Sequence, residues 1–170
     1  TRFGFSGNVL KWISSYVSGR SHVVRVENTT SVPVADVHGI PQGSVMGPLL
    51  FAMYSSPIHD IIHKHKLKSM IYADDTQIYL SFKPSEREKV ISRMNACIKD
   101  ICIWATKNKM SINASKTEVL YLSSKFVPKS SPSISIVVGN TNVTSKAEVR
   151  NLGAMMDEHL TMNTHISNLC

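Results

Sequence analysis

The feature that most constrains this 170-residue chain is a pair of adjacent aspartates between two runs of β-forming residues. The runs are Lys68–Tyr72 and Thr76–Phe82, and only Ala73, Asp74 and Asp75 lie between them. Aromatic and β-branched residues favour strands, whereas aspartate is depleted in strands and common in tight turns. The sequence therefore predicts a β-hairpin whose tip carries two carboxylates.

Paired carboxylates at a hairpin tip are candidates for a cation site. Two adjacent carboxylates repel each other, so holding them side by side is costly unless a cation binds them. Mg²⁺ prefers oxygen ligands, and one or two carboxylates together with substrate phosphates commonly hold it. A solvent-exposed Asp-Asp turn is the simpler explanation of the dipeptide by itself. The pattern alone leaves both interpretations open.

Hydrophobic periodicity and β-branched runs predict the other elements. Helices are predicted over residues 6–18, 45–54, 58–65, 85–109 and 161–170, and strands over 22–27, 32–37, 117–122, 134–138 and 148–155. Gly19 should end the first helix, Ser85 and Glu88 should form the capping box of the long helix, and Gly139-Asn140 should connect the last two strands. This order fits an α+β fold, a mainly antiparallel sheet with helices packed on one face.

The positive charge of the chain is concentrated in one segment. Residues 83–129 hold 10 Lys and Arg against 4 Asp and Glu, which accounts for most of the net charge of +7. Such a basic surface attracts a polyanion, of which nucleic acid is the obvious example. A solvated lysine-rich helix explains the same composition, so both interpretations stay open.

Two further segments could contact a ligand. Gly39–Ser44 is a turn-rich loop in which the glycines permit unusual backbone angles and Gln42 can both donate and accept hydrogen bonds. The loop could equally do no more than lead into the helix that follows it. Lys116 could neutralise a phosphate as a compact point charge, or it could be an ordinary surface lysine.

Cysteine, histidine and hydropathy patterns exclude several classes of protein. The three cysteines form no Cys-X-X-Cys pair and indicate free thiols in a reducing compartment. The seven histidines form no recognisable zinc pattern. The longest apolar stretch, Val45–Tyr54, is about half of the ~20 residues that a membrane span needs, and no signal peptide opens the chain. We therefore expect no membrane partner and an intracellular location, in the nucleus, the cytoplasm or both.

Four segments in a fixed order resemble the palm of reverse transcriptases, and most closely that of non-LTR (LINE-type) retrotransposons. The segments read GIPQGSVMGPLLF, IYADDTQIY, INASKTEVLYL and NLGAMMDEHL. The resemblance extends over nearly the whole chain, from Gly7 to His165, and includes Gly19-Arg20 near its start. The two central segments at this mutual distance are highly specific.

This resemblance implies a fold, an activity and a set of partners. The fold would be the palm of a right-hand polymerase, with residues 1–170 forming a partial reverse transcriptase domain that ends at the start of the thumb. The activity would be RNA-directed DNA polymerisation, in which dNTPs are transferred to a primer 3′-hydroxyl on an RNA or DNA template. The cofactors would be two Mg²⁺ ions, with Mn²⁺ as a substitute.

The aspartate pair and the lysine acquire roles through the same resemblance. Asp74 and Asp75, preceded by Tyr72 and Ala73, match the Tyr-X-Asp-Asp box, where the first aspartate is the essential metal ligand and the second supports it. Lys116 matches the lysine that approaches the incoming triphosphate.

Two backbone segments are assigned to nucleic-acid and nucleotide binding by the resemblance. Residues Gly39, Pro41, Gln42, Gly43 and Ser44 match a loop of the nucleotide and template site. Leu152 and Gly153 match the primer grip, the hairpin that holds the primer end. Ala154, Met155 and Met156 depart from the β-branched or leucine-like residues usual there, which affects only the detail of the grip.

The resemblance also implies a missing part. Reverse transcriptases use a third carboxylate in a Phe-X-X-Asp-like strand that precedes the segment at which this chain begins, and neither Asp36 nor Asp60 lies in that pattern. We expect a fragment of a longer reading frame, with fingers, thumb and in some cases an endonuclease outside it, that does not polymerise alone. The alternative is a degenerate retroelement remnant, or a domesticated nucleic-acid-binding protein without catalysis.

Overall fold

The structure, a computed structural model, describes residues 2–37, 39–40, 43–124 and 133–169. The chain divides into two compact units, Thr1–Met53 and Tyr54–Cys170. None of the helices within the described ranges is long and apolar enough to cross a membrane.

The first unit consists of a helix and two nested ladders. Helix α1 (Gly7–Val17) ends as predicted, with Gly19 at a φ of +66° just after it. Four short strands follow in antiparallel pairs: β1 (Arg20–His22), β2 (Arg25–Val26), β3 (Thr29–Thr30) and β4 (Val34–Asp36). The strands predicted over 22–27 and 32–37 pair with each other through β1 and β4, but β3 lies between the two predicted strands and pairs with β2. Between the two ladders, the Ser31 N–H donates a hydrogen bond to the Val24 carbonyl, and the Ser31 hydroxyl oxygen accepts one from the Val24 N–H.

Two short helices follow each other in the sequence where the first unit ends and the second begins. Helix α2 (Gly47–Ser55) is followed at once by α3 (Pro57–Lys64). Pro57 occupies the first turn of α3, where its missing N–H costs nothing, so the predicted break at this proline is confirmed.

The core of the second unit lies between a hairpin and two helices. Strands β5 (Lys68–Tyr72) and β6 (Asp75–Tyr79) pair antiparallel, and α4 (Arg87–Lys107) is the long helix. The core side chains come from both helices and from one face of the hairpin, and they include Ile58, Ile62, Leu67, Ile71, Ile78, Cys97 and Ile101. Burial raises the pKa of the Cys97 thiol to about 11, as expected for an inert core cysteine.

The long helix begins differently from the prediction. A 3-10 turn over Pro84–Glu86 precedes α4, and the Lys83 N–H donates to the Glu86 carboxylate at 3.1 Å. The predicted capping box of Ser85 and Glu88 was therefore wrong, because Pro84, with its fixed φ, starts the first turn two residues before the predicted start, with Lys83 as the N-cap. The helix ends at Lys107, two residues before the predicted end.

The remaining strands form two small sheets. Strands β7 (Val119–Leu120), β8 (Ser135–Val138) and β9 (Thr141–Lys146) are ordered β7-β9-β8, and β10 (Glu148–Asn151) pairs with β11 (Ala154–Asp157). The predicted strand over 148–155 was wrong, because this segment is itself a hairpin. The strand that follows Gly139-Asn140 is β9, for which no strand was predicted.

The predicted mixture of helices and antiparallel strands is observed, but a single sheet is not. The described residues form four two-stranded sheets and one three-stranded sheet, and only β7 and β9 pair in parallel. Most strands pair with their immediate neighbour in the chain, which is the pairing that short turns favour. The final helix, α5 (Asn163–Leu169), begins two residues later than predicted.

Candidate active site

The two aspartates lie where a tight turn passes into a strand. Tyr72 pairs with Asp75 in the register of the hairpin, so the turn contains only Ala73 and Asp74. The prediction placed three residues in this turn. Asp75 is instead the first residue of β6. Ala73 has a φ of +51°, a conformation that residues with a Cβ seldom adopt and that often marks a functional position.

Strand alternation places the core side chains and Asp75 on different faces of this hairpin. Ile71 and Ile78 pack against the core, and Tyr72, Asp75 and Gln77 follow the other alternation. Asp74 and Asp75 are exposed, and Tyr72 is 68% exposed. The hairpin is therefore anchored by its apolar face while its tip stays open to solvent.

The exposed carboxylate pair fits a divalent cation as a partial site. Its oxygens are the hard donors that Mg²⁺ and Mn²⁺ prefer, and neither carboxylate has a hydrogen-bond or ion-pair partner within the described ranges. No group of three or more His, Cys, Asp or Glu side chains among the described residues could complete a metal site. Asp74 and Asp75 would supply two ligands, and water, phosphate oxygens or other protein groups would supply the rest.

The Gly39–Ser44 loop belongs to the first unit, and Pro41 and Gln42 lie outside the described residues. Gly39 and Gly43 have φ values of +83° and +76°, so the predicted need for glycine at both positions is confirmed. A Cβ at either position would meet none of the described residues within 4 Å, so within this part of the structure it is the backbone conformation that favours glycine.

The sequence alone did not indicate the environment of two side chains near this loop, Arg20 on β1 and Ser44. The guanidinium of Arg20 donates to the Gly39 carbonyl and so fixes the start of the loop. The Ser44 hydroxyl is buried and has no hydrogen-bond partner among the described residues. A buried hydroxyl without a partner is costly.

Lys116 is exposed at the end of a capped turn. The turn, Ala114–Lys116, is 3-10 helical, and the Asn113 side chain accepts hydrogen bonds from the backbone N–H groups of Ser115 and Lys116. The Lys116 ammonium has no ion-pair partner among the described residues. The turn that ends at Lys116 is followed by β7. It is free to meet an anion.

The segment predicted to be the primer grip is a β-hairpin with a two-residue turn. Asn151 pairs with Ala154, and Leu152 and Gly153 form the turn with φ values of +46° and +90°. Positive φ at both central residues defines a type I′ turn, which suits the twist of a hairpin. Leu152 is half-exposed at the tip.

Hydrogen bonds bring three of these segments together within the second unit. The Gln77 amide donates to the Asn151 side-chain oxygen at 2.6 Å and joins the aspartate hairpin to the β10–β11 hairpin. The Glu118 carboxylate, two residues after Lys116, accepts from the Arg150 N–H at 3.2 Å and from the Lys146 ammonium at 2.7 Å. The hydrogen bond from Lys146 is the main cause that lowers the pKa of Glu118.

No role was predicted from the sequence for Gln77 or Glu118, whereas Asn151 begins the segment NLGAMMDEHL that resembles the primer grip. One signal was present for Gln77, because it lies two residues after Asp75 and so shares its face of the strand. No local pattern indicated the partners of these side chains, which are 74 and 32 positions away in the chain.

The chain is similar to known polymerase sequences over most of its length. The family described as reverse transcriptase (RNA-dependent DNA polymerase) matches residues 1–156. The probable RNA-directed DNA polymerases from transposon BS and transposon X-element of Drosophila melanogaster are 24% and 25% identical over 91% and 92% of the chain. The RNA-directed DNA polymerase from mobile element jockey of the same species is 25% identical over 92%. The chain spans 17% of the length of each of these relatives, and no solved structure matches it significantly.

Proposed function

Because the chain belongs to the reverse transcriptase (RNA-dependent DNA polymerase) family, we propose that it is the palm core of an RNA-directed DNA polymerase, with the start of the thumb at its C-terminal end. The resemblance predicted from the sequence is thereby confirmed at the level of the family. The observation that carries the proposal is the pair of exposed aspartates at the tip of a hairpin with an anchored apolar face. The reaction is the addition of dNTPs to a primer 3′-hydroxyl on an RNA or DNA template.

The aspartates act as metal ligands in this proposal. Asp74 is the principal ligand and Asp75 the supporting one, and the buried face of the hairpin keeps both carboxylates in place before substrate arrives. Asp74 and Asp75 would hold two divalent ions such as Mg²⁺ or Mn²⁺, which would supply Lewis-acid stabilisation of the negative charge that develops during nucleotidyl transfer. The open tip leaves room for the primer end and for the phosphates, since both carboxylates are exposed.

The other predicted residues bind substrate parts. Lys116 offers an unpaired ammonium to the triphosphate, held on a turn that Asn113 caps. The loop containing Gly39, Pro41, Gln42, Gly43 and Ser44 contacts the nucleotide and the template, with Tyr72 and Ala73 beside the aspartates. Leu152 and Gly153 contact the primer end.

The complete enzyme needs more than these residues. The third carboxylate, the fingers and most of the thumb come from the rest of a longer reading frame, and the 170 residues alone do not polymerise. The partners are an RNA template, a DNA primer and dNTPs, and the site of action is the nucleus or the cytoplasm.

Primer extension by the full natural protein tests the proposal. An oligo(dT) primer on poly(rA) is extended with dTTP and Mg²⁺ by the wild type, and Asp74→Asn and Asp75→Asn are compared with it. We expect each substitution to lower the rate by at least about 100-fold, because each removes charge from a metal ligand. Glu88→Gln, an exposed carboxylate on α4, is the matched control and should keep full activity. Full activity in both aspartate variants contradicts the proposal.

A second function has support from the charge distribution. Lys89, Lys99 and Lys107 are exposed on α4, within the segment that holds most of the positive charge. A retroelement remnant, or a domesticated protein that binds nucleic acid without catalysis, would use this charge alone. It would bind RNA or DNA with a steep salt dependence, and neither Mg²⁺ removal nor the aspartate substitutions would change that binding.

A further inference from the structure

We propose that Gln77 is a positioning residue that sets the β10–β11 hairpin relative to the aspartate hairpin through its hydrogen bond to Asn151. The inference rests on the proposed function, since it assigns a purpose to the distance between the metal ligands and the primer grip. Gln77 touches neither metal nor substrate in this account. It acts by fixing where the primer end lies.

The two amides occupy the right places for this purpose. Gln77 lies on β6, two residues after Asp75 and on the same face of the strand. Asn151 is the last residue of β10 and closes the turn that contains Leu152 and Gly153. Both side chains are partly buried, and the distance from Gln77 Nε2 to Asn151 Oδ1 is 2.6 Å. One hydrogen bond therefore connects the two hairpins close to their turns.

A second contact fixes the orientation of the Asn151 amide. Its Nδ2 donates to the Met156 sulfur, on the paired strand β11, at 3.4 Å. The oxygen must then face Gln77, which can donate only through its own amide nitrogen. A hydrocarbon side chain at position 156 would offer the Asn151 amide no acceptor, so the Met156 sulfur and the amide pair belong to one arrangement.

The magnitude of the effect follows from catalytic geometry. Loss of a single hydrogen bond of this kind changes stability only modestly, because water replaces part of the interaction. Nucleotidyl transfer is far more sensitive, since a misplacement of about 1 Å at the reacting atoms can cost on the order of 100-fold in rate. Removing the Gln77 donor should therefore lower the rate of the chemical step without unfolding the protein.

The test measures steady-state extension of oligo(dT) on poly(rA) by the full natural protein. Gln77→Met keeps the length of the side chain and removes the donor. We expect kcat to fall by about tenfold while KM for dTTP and the melting temperature stay close to wild type. The exchange Gln77→Asn with Asn151→Gln restores an amide pair of the same total length and should recover most of the rate. Asn142→Ala, an exposed amide on β9, is the control and should have no effect.

Each other outcome has a defined meaning. Wild-type kcat in Gln77→Met overturns the inference. A fall in kcat that matches a loss of folded protein, and that the exchange does not recover, also overturns it, because the role is then only structural. Asp74→Asn and Asp75→Asn are measured alongside. If Asp74→Asn and Asp75→Asn are both as active as wild type, the proposed function fails as well, whereas an inactive Asp74→Asn beside a fully active Gln77→Met refutes the positioning role alone.

Discussion

The two units differ in how much they bury, although both form regular secondary structure. Every buried hydrophobic side chain among the described residues lies in the second unit. In the first unit the valines of the hairpin region are all exposed, namely Val23, Val24, Val26, Val32, Val34 and Val37. The first unit thus has regular backbone hydrogen bonding without a buried apolar core among its described residues, whereas the core of the second unit joins elements that are distant in sequence.

The difference bears on the candidate site. The aspartates are placed by packing, because the opposite face of their hairpin contacts α3 and α4. In the first unit, Gly39 and Gly43 have positive φ, and the Gly39 carbonyl accepts a hydrogen bond from Arg20. We therefore expect the two units to respond very differently to substitution.

The largest expected contrast is in the stability of the two units. Ile62 is completely buried, so Ile62→Ala should lower the free energy of unfolding by about 3 kcal/mol. Val32 is 79% exposed in the first unit, and Val32→Ala should change it by no more than about 0.5 kcal/mol. Urea unfolding of the 170-residue chain, followed by circular dichroism, measures both. Equal effects would mean that the first unit has a core of its own and would remove the contrast.

Local patterns in the sequence predicted the elements whose signals are local. These signals lie inside the element or directly beside it. They are the helical spacing of the apolar residues in α4, the glycine just after α1 and the turn residues between β5 and β6. Strand β9 was missed because it reads Thr-Asn-Val-Thr-Ser-Lys and buries only Val143 completely. Its polar residues resemble a loop until β8 and β7 are seen on either side of it.

The candidate site was predictable to the same extent. Tyr72–Asp75 and Leu152-Gly153 carry their signals in short motifs, and both are hairpin tips. The single sheet and the contacts of Gln77 and Glu118 depend on which segments meet in space, and no periodicity or turn signal encodes that. The strained Ala73 and Leu152, both with positive φ, could likewise be recognised only from coordinates.

The next contrast concerns carboxylates in the two units. Asp157 accepts hydrogen bonds from the backbone N–H groups of His159, Thr161 and Met162 and from the Thr161 hydroxyl. These bonds, that from the Thr161 N–H first, lower the pKa of Asp157 from 3.8 to about 2. Asp157→Asn should therefore lower the melting temperature, because asparagine keeps one acceptor oxygen and replaces the other with a donor. Thermal unfolding at pH 6 measures the effect.

The pH dependence of this effect has a definite sign. A carboxylate with a lowered pKa stabilises the folded state fully above its unfolded pKa of 3.8, and this stabilisation is lost as the pH falls through about 2. The difference in melting temperature between wild type and Asp157→Asn should be constant down to about pH 4 and then shrink. Asp36, in the first unit, has an exposed His22 as its partner at 2.7 Å, and Asp36→Asn should have the smaller effect. A larger effect at Asp36 would reverse the ranking of the units.

The smallest expected effect is at the contact that ties β7 to β9 and β10. Glu118→Ala removes the ion pair with Lys146 and the acceptor for the Arg150 N–H. The pair is partly exposed, so we expect a loss of about 0.5 kcal/mol that decreases with added salt. Because the pKa of Glu118 is lowered, its stabilisation should persist above 4.5 and disappear as the pH falls below that value.

A double-mutant cycle measures whether the Glu118–Lys146 ion pair contributes to the stability of the second unit. Glu118→Gln, Lys146→Gln and the double variant isolate the ion pair from other effects of each substitution. A coupling energy that is measurable at low salt would show that polar contacts between distant segments add to the packing that holds the second unit together. A coupling of zero would leave the apolar core as the source of that order, and Lys116 would then depend on the Asn113 cap alone for its position.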